Sequence, residues 1–481
     1  MYIIYSILVI SSLIFVCYYL LNLLQQNHYH YNLFLKMYRN YFKSILFLSL
    51  GSLLYFNNIV FKILSIILLI IFIFRMIKKK YILKLNFTSR IYRIIFVNIL
   101  INIIHLMLFK INYIIILVPI YLLLSMIILI PVEKIIGHYY IKKARNKLNA
   151  INPIIVAITG SAGKTSVKNY LYELLKDDYI TFKTPKSYNT VLGITKAINE
   201  NMNIKTEVAI FEFGASHKND ISKLLKVVKP DIGIITNILP QHLESFKKIE
   251  NVFHEKLKVF DESKVCLFNS DIISPIIKKG KEVVTISEHK KSKYKLSDVL
   301  YTNEGMSFKI NGYLFKTSLI GKCNLENVIL AVICSNYLKL SFKKIENRLL
   351  GLKPVSNRLE IKKVNNKIII DDSFNSNIKG FENAIEVLMI YKANKVVITP
   401  GIMECGKKAS EINYKVGVLL GKANCDIFII KNKNSKYIIK GLIDCNNDRY
   451  KVYDYFKDCY DIAINNYDVI LIENDISDVY K

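Results

Sequence analysis

The apolar run Ile154-Ile155-Val156-Ala157-Ile158 stops at Thr159-Gly160-Ser161-Ala162-Gly163-Lys164-Thr165-Ser166, after which a helical pattern continues through Leu175. This order constrains the fold more than any other feature. A buried strand, a glycine-rich turn and a helix start together aim main-chain N–H groups and a helix dipole at a bound anion. In that setting Lys164 reaches the outer phosphates of a nucleotide, and the Thr165 hydroxyl can ligate Mg2+. Gly160, Ser161, Ala162, Gly163, Lys164, Thr165 and Ser166 are therefore the candidate phosphate-binding residues. The strict G-x-x-x-x-G-K-[ST] pattern asks for glycine at position 158, where this chain has Ile158, so the loop is the shorter G-x-x-G-K-T form.

The 150 residues before this strand have a different composition. They hold 17 of the 67 basic residues but one of the 38 acids, Glu133, and long Ile/Leu/Phe/Tyr runs. Tyr2 to Leu24 is long enough to cross a hydrocarbon layer of roughly 30 Å. Further apolar runs lie at about Ile45–Phe56, Ile59–Phe74, Ile94–Phe109 and Tyr113–Ile130. They predict four or five membrane spans, followed by an interfacial amphipathic helix over Val132–Ala150. The first run has no basic n-region and no small-residue cleavage site, which favours a retained helix over a signal peptide. Lys and Arg collect after the first span, between the third and fourth, and after the last. By the positive-inside rule the N-terminus is outside and everything after Pro131 is cytoplasmic. The expectation is a multi-pass cell-membrane protein with cytoplasmic catalytic domains.

The net charge of +29 favours anionic partners, such as nucleotides, an acidic nucleotide- or lipid-linked substrate, or a bilayer surface, with nucleic acid disfavoured. The lysine comes with abundant Ile, Asn and Tyr, so codon bias explains part of it equally well. The eight cysteines show no C-x-x-C pair or metal-ligand spacing and read as reduced, mostly buried thiols.

Downstream of the phosphate loop, several blocks follow in order. Thr184-Pro185-Lys186-Ser187-Tyr188-Asn189-Thr190 is a turn-rich segment. Val208-Ala209-Ile210-Phe211-Glu212-Phe213-Gly214 is a buried strand ending in a carboxylate, which in a doubly wound sheet sits at the crevice where ligands bind. Glu212 could hold Mg2+ with Thr165. Then come Thr236-Asn237-Ile238 with His242-Leu243-Glu244, Glu255-Lys256, Gly321-Lys322-Cys323-Asn324-Leu325-Glu326-Asn327, Pro354-Val355-Ser356-Asn357-Arg358-Leu359-Glu360, Asp371-Asp372-Ser373-Phe374-Asn375-Ser376-Asn377, and Gly401-Ile402-Met403-Glu404-Cys405-Gly406.

In order and spacing these blocks resemble the Mur ligase family, its MurF branch in particular, from about residue 153 to the C-terminus. The resemblance implies an α/β architecture after the α-helical membrane region of residues 1–150: a P-loop central ATP-binding domain over 151–353 and a Rossmann-like C-terminal domain over 354–481. It implies ATP and Mg2+ as cofactors, with Thr165, Glu212, His242 and a carbamate on Lys256 as metal ligands; Lys258 is the competing lysine. It places Asn324, Asn327, Arg358, Asp372 and Asn375 at the nucleotide, assigns Lys164, His242, Lys256 and Arg358 to catalysis, and makes the 401–406 loop a surface for the amine substrate. Four positions depart from the family pattern: Cys323 stands for histidine, Asn357 for glycine, Phe374 for tyrosine and Ile378 for proline.

The activity so implied is ATP-dependent amide-bond formation on a cell-wall peptide precursor, through an acyl phosphate captured by an amine. MurF-type enzymes begin with a domain that grips the uridine diphosphate of their substrate. The expected membrane helices stand in its place, which leaves a nucleotide-linked or a lipid-linked acceptor open, and an archaeal pseudomurein ligase would read much the same. Two other classes compete: a P-loop ATPase driving or gating a transporter, and a catalytically dead scaffold. The spans show no acid of the kind transport sites need, and the retained Lys164, Thr165, Glu212 and His242 argue against a scaffold.

Overall fold

The computed structural model describes residues 2–26, 29, 59–78, 85–108, 114–239, 243–374, 377–403 and 405–474. It divides into two compact units, Met1–His138 and Tyr139–Lys481.

In the first unit the described residues form helices over Tyr2–Gln26, Ile59–Lys78 and Ser89–Leu108, and the start of Ile114–Ile151. The multi-pass expectation does not hold. Among the described residues one helix, Ile120–Ile151, is long and apolar enough to cross a membrane, and Ile14–Gln26 is a shorter apolar helix. The Ile45–Phe56 run lies outside the described residues. The apolar runs have a second use that composition does not distinguish from a span: Val16, Leu20, Leu24, Ile91, Ile94, Leu122 and Met126 are buried against one another in a common core. A cation between the third and fourth runs likewise has a partner within the protein: Arg93 is held 2.7 Å from Glu133. Nor is Val132–Ala150 a separate interfacial helix. It continues the helix that begins at Ile114, and Ala144 and Leu148 are buried in the protein core of the second unit.

The second unit contains two sheets. The first has nine strands in the order β2-β3-β1-β4-β5-β6-β7-β8-β9. They are β1 (Ile154–Thr159), β2 (Thr181–Lys183), β3 (Val208–Glu212), β4 (Ile232–Ile235), β5 (Val265–Asn269), β6 (Glu282–Ser287), β7 (Tyr294–Tyr301), β8 (Met306–Ile310) and β9 (Tyr313–Thr317). β1 pairs in parallel with β3 on one side and β4 on the other. Strand order reverses there, and this is where a doubly wound sheet opens a crevice at its carboxyl ends. The alternation of β1 builds two cores. Val156 and Ile158 pack under the helices Lys164–Leu175 and Lys322–Tyr337, while Ile155 and Ala157 face the helices Val191–Asn201 and Asp220–Leu225. A near-continuous apolar strand is what a sheet covered on both faces requires.

The second sheet runs β10-β11-β15-β12-β13-β14, with β10 (Glu360–Val364), β11 (Lys367–Asp372), β12 (Lys395–Thr399), β13 (Asp426–Ile430), β14 (Tyr450–Tyr453) and β15 (Val469–Glu473). β10 and β11 form an antiparallel hairpin and the remaining pairs are parallel. The helices Ile378–Ile390, Ala409–Lys422 and Ser435–Asp444 cover one face, and Phe456–Asn466 covers the other. The α/β architecture expected for this part of the chain is what the structure has.

Two of these helices approach backbone to backbone through glycine. A Cβ at Gly417 would lie 2.1 Å from the Ile438 carbonyl oxygen, and one at Gly441 would lie 2.4 Å from that of Tyr414. Because main chain cannot yield as a flexible side chain does, Gly417→Ala should destabilise the fold by about 1–3 kcal/mol. Urea denaturation checks this; an unchanged midpoint would mean that the helices separate freely.

Candidate active site

The turn after β1 lies between Glu212, the last residue of β3, and the segment that follows β4. Gly163 adopts φ +81 at the mouth of the helix Lys164–Leu175. Only glycine fits there on two grounds: the left-handed conformation, and the Asn327 side-chain oxygen, which would lie 2.1 Å from a Cβ. The segment after β4 stitches the turn in place. Ser161 N donates to the Asn237 carbonyl at 2.9 Å. Ala162 N donates to Asn237 Oδ1 at 2.8 Å, and Thr236 Oγ1 to the Ala162 carbonyl at 2.5 Å. Ser161 Oγ donates to the Leu239 carbonyl and accepts from Leu239 N.

Two lysines converge on one carbonyl oxygen of this turn. Lys164 Nζ donates to the Gly160 carbonyl at 2.8 Å and Lys256 Nζ to the same oxygen at 2.9 Å. Lys256 lies on the helix Ile249–Leu257 and is 3% exposed. The neighbouring Glu255 holds that helix in place by accepting from Asn219 N and Ile221 N, both at 2.9 Å. Burial, and then the charge of Lys164, push the Lys256 amine well below the usual lysine range, against a smaller opposing pull from Glu255. The competing Lys258 turns elsewhere, to Glu255 at 2.7 Å and Asn219 at 3.0 Å.

Glu212 is 2% exposed. Its Oε2 accepts from Thr165 Oγ1 at 3.0 Å and from Lys168 Nζ at 3.0 Å, and its Oε1 from Asn189 Nδ2 at 3.3 Å. Burial alone would raise this carboxyl. The charges of Lys168 and Lys164, with hydrogen bonds from Lys168 and Thr165, outweigh it and hold the group below the usual glutamate range. Burial likewise lowers Lys164, where Glu212 opposes the shift and Arg358 adds to it. Sequence reasoning missed Lys168. The available signal was spacing, since three and four residues separate it from Thr165 and Lys164, one turn along the same helix face.

Arg358 arrives from the segment before β10. Its guanidinium donates to Thr165 Oγ1 at 3.4 Å and lies 4.3 Å from the centre of the Phe374 ring. Its neighbours Asn357 and Leu359 have φ of +61 and +50. Asparagine tolerates the left-handed region, which accounts for its standing in for glycine at 357. Phe374, where the family pattern has tyrosine, supplies the face on which the guanidinium rests. Asp372 Oδ1 accepts from Leu359 N at 3.0 Å and is paired in register with Glu473. Burial raises Asp372 to about 6, against hydrogen bonds from Leu359 and Glu473 and the charge of Arg358.

The remaining expected residues divide. Asn324 is committed within the protein, accepting from Tyr170 at 2.8 Å and donating to the Ile320 carbonyl at 2.9 Å. Asn327 faces Gly163. Ser166 is buried on the loop helix. Cys323, in place of histidine, is an inert thiol pushed up to about 12, chiefly by burial. His242 and Asn375 lie outside the described residues. Among the described residues no three His, Cys, Asp or Glu side chains cluster as a metal site would need. A cation here would rest on the Thr165 hydroxyl and the Glu212 carboxylate. That suits Mg2+, which takes one or two protein oxygens and completes its shell with phosphate and water.

The Glu212–Lys168 pair sets a stability test. Glu212→Ala strands a buried ammonium and should cost roughly 3–5 kcal/mol in urea denaturation, whereas Glu212→Ala with Lys168→Met should cost less than Glu212→Ala alone. Simple additivity of the two single losses would mean that the residues are not coupled.

The Mur ligase middle domain family matches residues 158–335. The UDP-N-acetylmuramoyl-tripeptide–D-alanyl-D-alanine ligase of Buchnera aphidicola subsp. Baizongia pistaciae is 30% identical over 301 residues, covering 60% of this chain and 65% of that protein. The Bacillus subtilis ligase of the same name is 26% identical over 313 residues, covering 62% and 67%. The chain thus spans about two thirds of these relatives, and less than that of the first. Among solved structures, MurF from Thermotoga maritima in complex with ADP superposes with TM-score 0.62 at 22% identity, covering 70% of this chain and 80% of that one. This likeness establishes a common fold. The second unit accordingly matches the Mur ligase middle domain over residues 158–335, and in sequence the chain is similar to ligases of the MurF branch.

Proposed function

We propose that the chain is an ATP-dependent carboxylate–amine ligase of MurF type, which joins a dipeptide such as D-alanyl-D-alanine to a nucleotide-linked muramoyl peptide. The observation that carries this reading is the contact of the loop hydroxyl with the buried strand-end carboxylate, Thr165 to Glu212 at 3.0 Å, with Arg358 reaching the same hydroxyl from the second sheet. The relatives' names supply the substrates, and the ADP complex of the Thermotoga maritima structure supplies the nucleotide. In this reading residues 151–353 bind ATP and residues 354–481 form the C-terminal domain. The transporter alternative loses its footing with the multi-pass region.

The chemistry asks little covalent work of the protein. A carboxylate oxygen of the acceptor attacks the γ-phosphorus, the bond to the β,γ-bridging oxygen breaks, and ADP leaves. The amine nitrogen then attacks the acyl carbon, the C–O bond to phosphate breaks, and the nitrogen gives up its proton. Lys164 and the N–H groups of the 160–166 turn take the charge on the phosphates, and Arg358 adds positive charge when the second sheet's domain is in place. Mg2+, held by Thr165 and Glu212, would neutralise charge accumulating on the transferred group. Lys256 is suited to a carbamate because burial and the charge of Lys164 push its amine well below the usual lysine range, which favours the neutral form that attacks CO2, and the resulting anion would face Lys164. His242 is assigned to the same metal site by its block in the sequence.

Full-length protein with Mg-ATP, UDP-muramoyl tripeptide and D-alanyl-D-alanine should release ADP and give a product heavier by the dipeptide less one water. ADP release without amide product would contradict a ligase. Lys164→Ala should lower turnover by about 10²–10³-fold or more, the scale of losing a key charge-stabilising group. Wild type with 13C-bicarbonate should show a carbamate carbon by NMR that Lys256→Ala lacks, and short carboxylic acids should partly restore that variant. An identical carbamate signal in Lys256→Ala would move the modification to another lysine.

A further inference from the structure

Lys168 lies one turn beyond the loop lysine and is 1% exposed. A buried ammonium is costly unless acceptors surround it. Here there are two: Glu212 Oε2 at 3.0 Å and the main-chain carbonyl of Lys186 at 2.5 Å. The second is informative. Pairing with Glu212 alone would have neutralised the charge, but the bond to Lys186 ties it to the 184–190 segment, where Lys186 has φ +47 and Tyr188 N closes a turn onto the Pro185 carbonyl.

The same segment reaches Glu212 by other routes. Asn189 Nδ2 donates to Glu212 Oε1, the Asn189 carbonyl accepts from Gly214 N at 2.9 Å, and Thr184 Oγ1 accepts from Glu212 N at 3.4 Å. Both carboxylate oxygens are therefore engaged by protein donors, and Lys168 and Asn189 belong to, or bond with, the 184–190 segment. We propose that Lys168, with Asn189 as a second strut, is a positioning residue that couples the placement of the 184–190 loop to the occupancy of the Glu212 carboxylate.

The coupling follows from competition for one oxygen. A divalent cation held by Thr165 and Glu212 would compete with Lys168 for the Glu212 carboxylate and would repel the ammonium. Lys168 would then keep the Lys186 carbonyl as its remaining acceptor, so that its displacement would be transmitted to the loop. Reciprocity requires the converse: a ligand that fixes the loop alters cation affinity by the same factor. This proposal rests on the reading of Thr165 and Glu212 as a cation site beside a nucleotide.

Hydrogen–deuterium exchange of peptides covering 184–190, in the full chain alone, with ADP and EDTA, and with ADP and Mg2+, tests it. Nucleotide binding is followed in parallel with a fluorescent ADP. In wild type, Mg-ADP but not ADP with EDTA should change exchange in this segment by about fivefold or more, within the usual range of coupling energies. In Lys168→Met the change should vanish although the fluorescent nucleotide still binds, and Lys168→Arg, which keeps the charge and two donors, should retain part of it. Asn189→Ala strands no charge and serves if Lys168→Met fails to fold; it should reduce the change by about half or more. A wild-type-sized change in Lys168→Met or in Asn189→Ala overturns the proposal, as does a wild type that binds Mg-ADP with no change in the loop. Failure of wild type to bind nucleotide at all would instead overturn the underlying reading of the site.

Discussion

One buried carboxylate organises the chemistry of this chain. Glu212 ends a strand at the reversal point of the first sheet, and three donors from two other parts of the chain meet on it: Thr165 and Lys168 from the helix after β1, and Asn189 from the turn-rich segment after β2. A carboxylate enclosed so completely would pick up a proton if it were alone, because burial penalises its charge. The surrounding ammonium groups and hydrogen bonds reverse that tendency. The strand can therefore end in a charge inside the protein, and the phosphate loop and the 184–190 segment are both held relative to it.

The electrostatics around that carboxylate are lopsided. Lys164, Lys168, Lys256 and Arg358 gather at the turn, and burial depresses all three lysines. Two of them share the Gly160 carbonyl oxygen, a contact that leaves like charges close together. Such a concentration of positive charge beside a helix N-terminus favours an anion. The second sheet contributes through Arg358, presented between two left-handed residues and supported by the Phe374 face. An arginine held in this manner has little conformational freedom left to lose.

Much of this was legible in the sequence, because glycine, lysine and hydroxyl residues at fixed spacing after an apolar strand admit few arrangements. Glu212 could be placed by its position at a strand end, and Arg358 by its block. Lys168 was hidden because a lysine on a helix ordinarily points to solvent, and its burial depends on a carboxylate 44 residues away. The bonds of Asn324 to Tyr170 and to the Ile320 carbonyl were likewise not legible, since those partners lie in other parts of the sequence or in the backbone. The N-terminal reading failed for a compositional reason. Apolar runs of span length also line a helical core, and a basic residue flanking them can have an acidic partner far away in sequence, as Arg93 has in Glu133.

The claim on which the account turns is that Thr165 and Glu212 hold a cation that helps to bind a nucleotide. Calorimetric titration of ADP into the full chain, with millimolar Mg2+ and with EDTA, for wild type and Thr165→Val, measures it directly. Mg2+ should tighten ADP binding to wild type by about tenfold or more, the worth of one well-placed charged contact, and should have little effect on Thr165→Val. Equal affinity of wild type for ADP with and without Mg2+ would contradict the account.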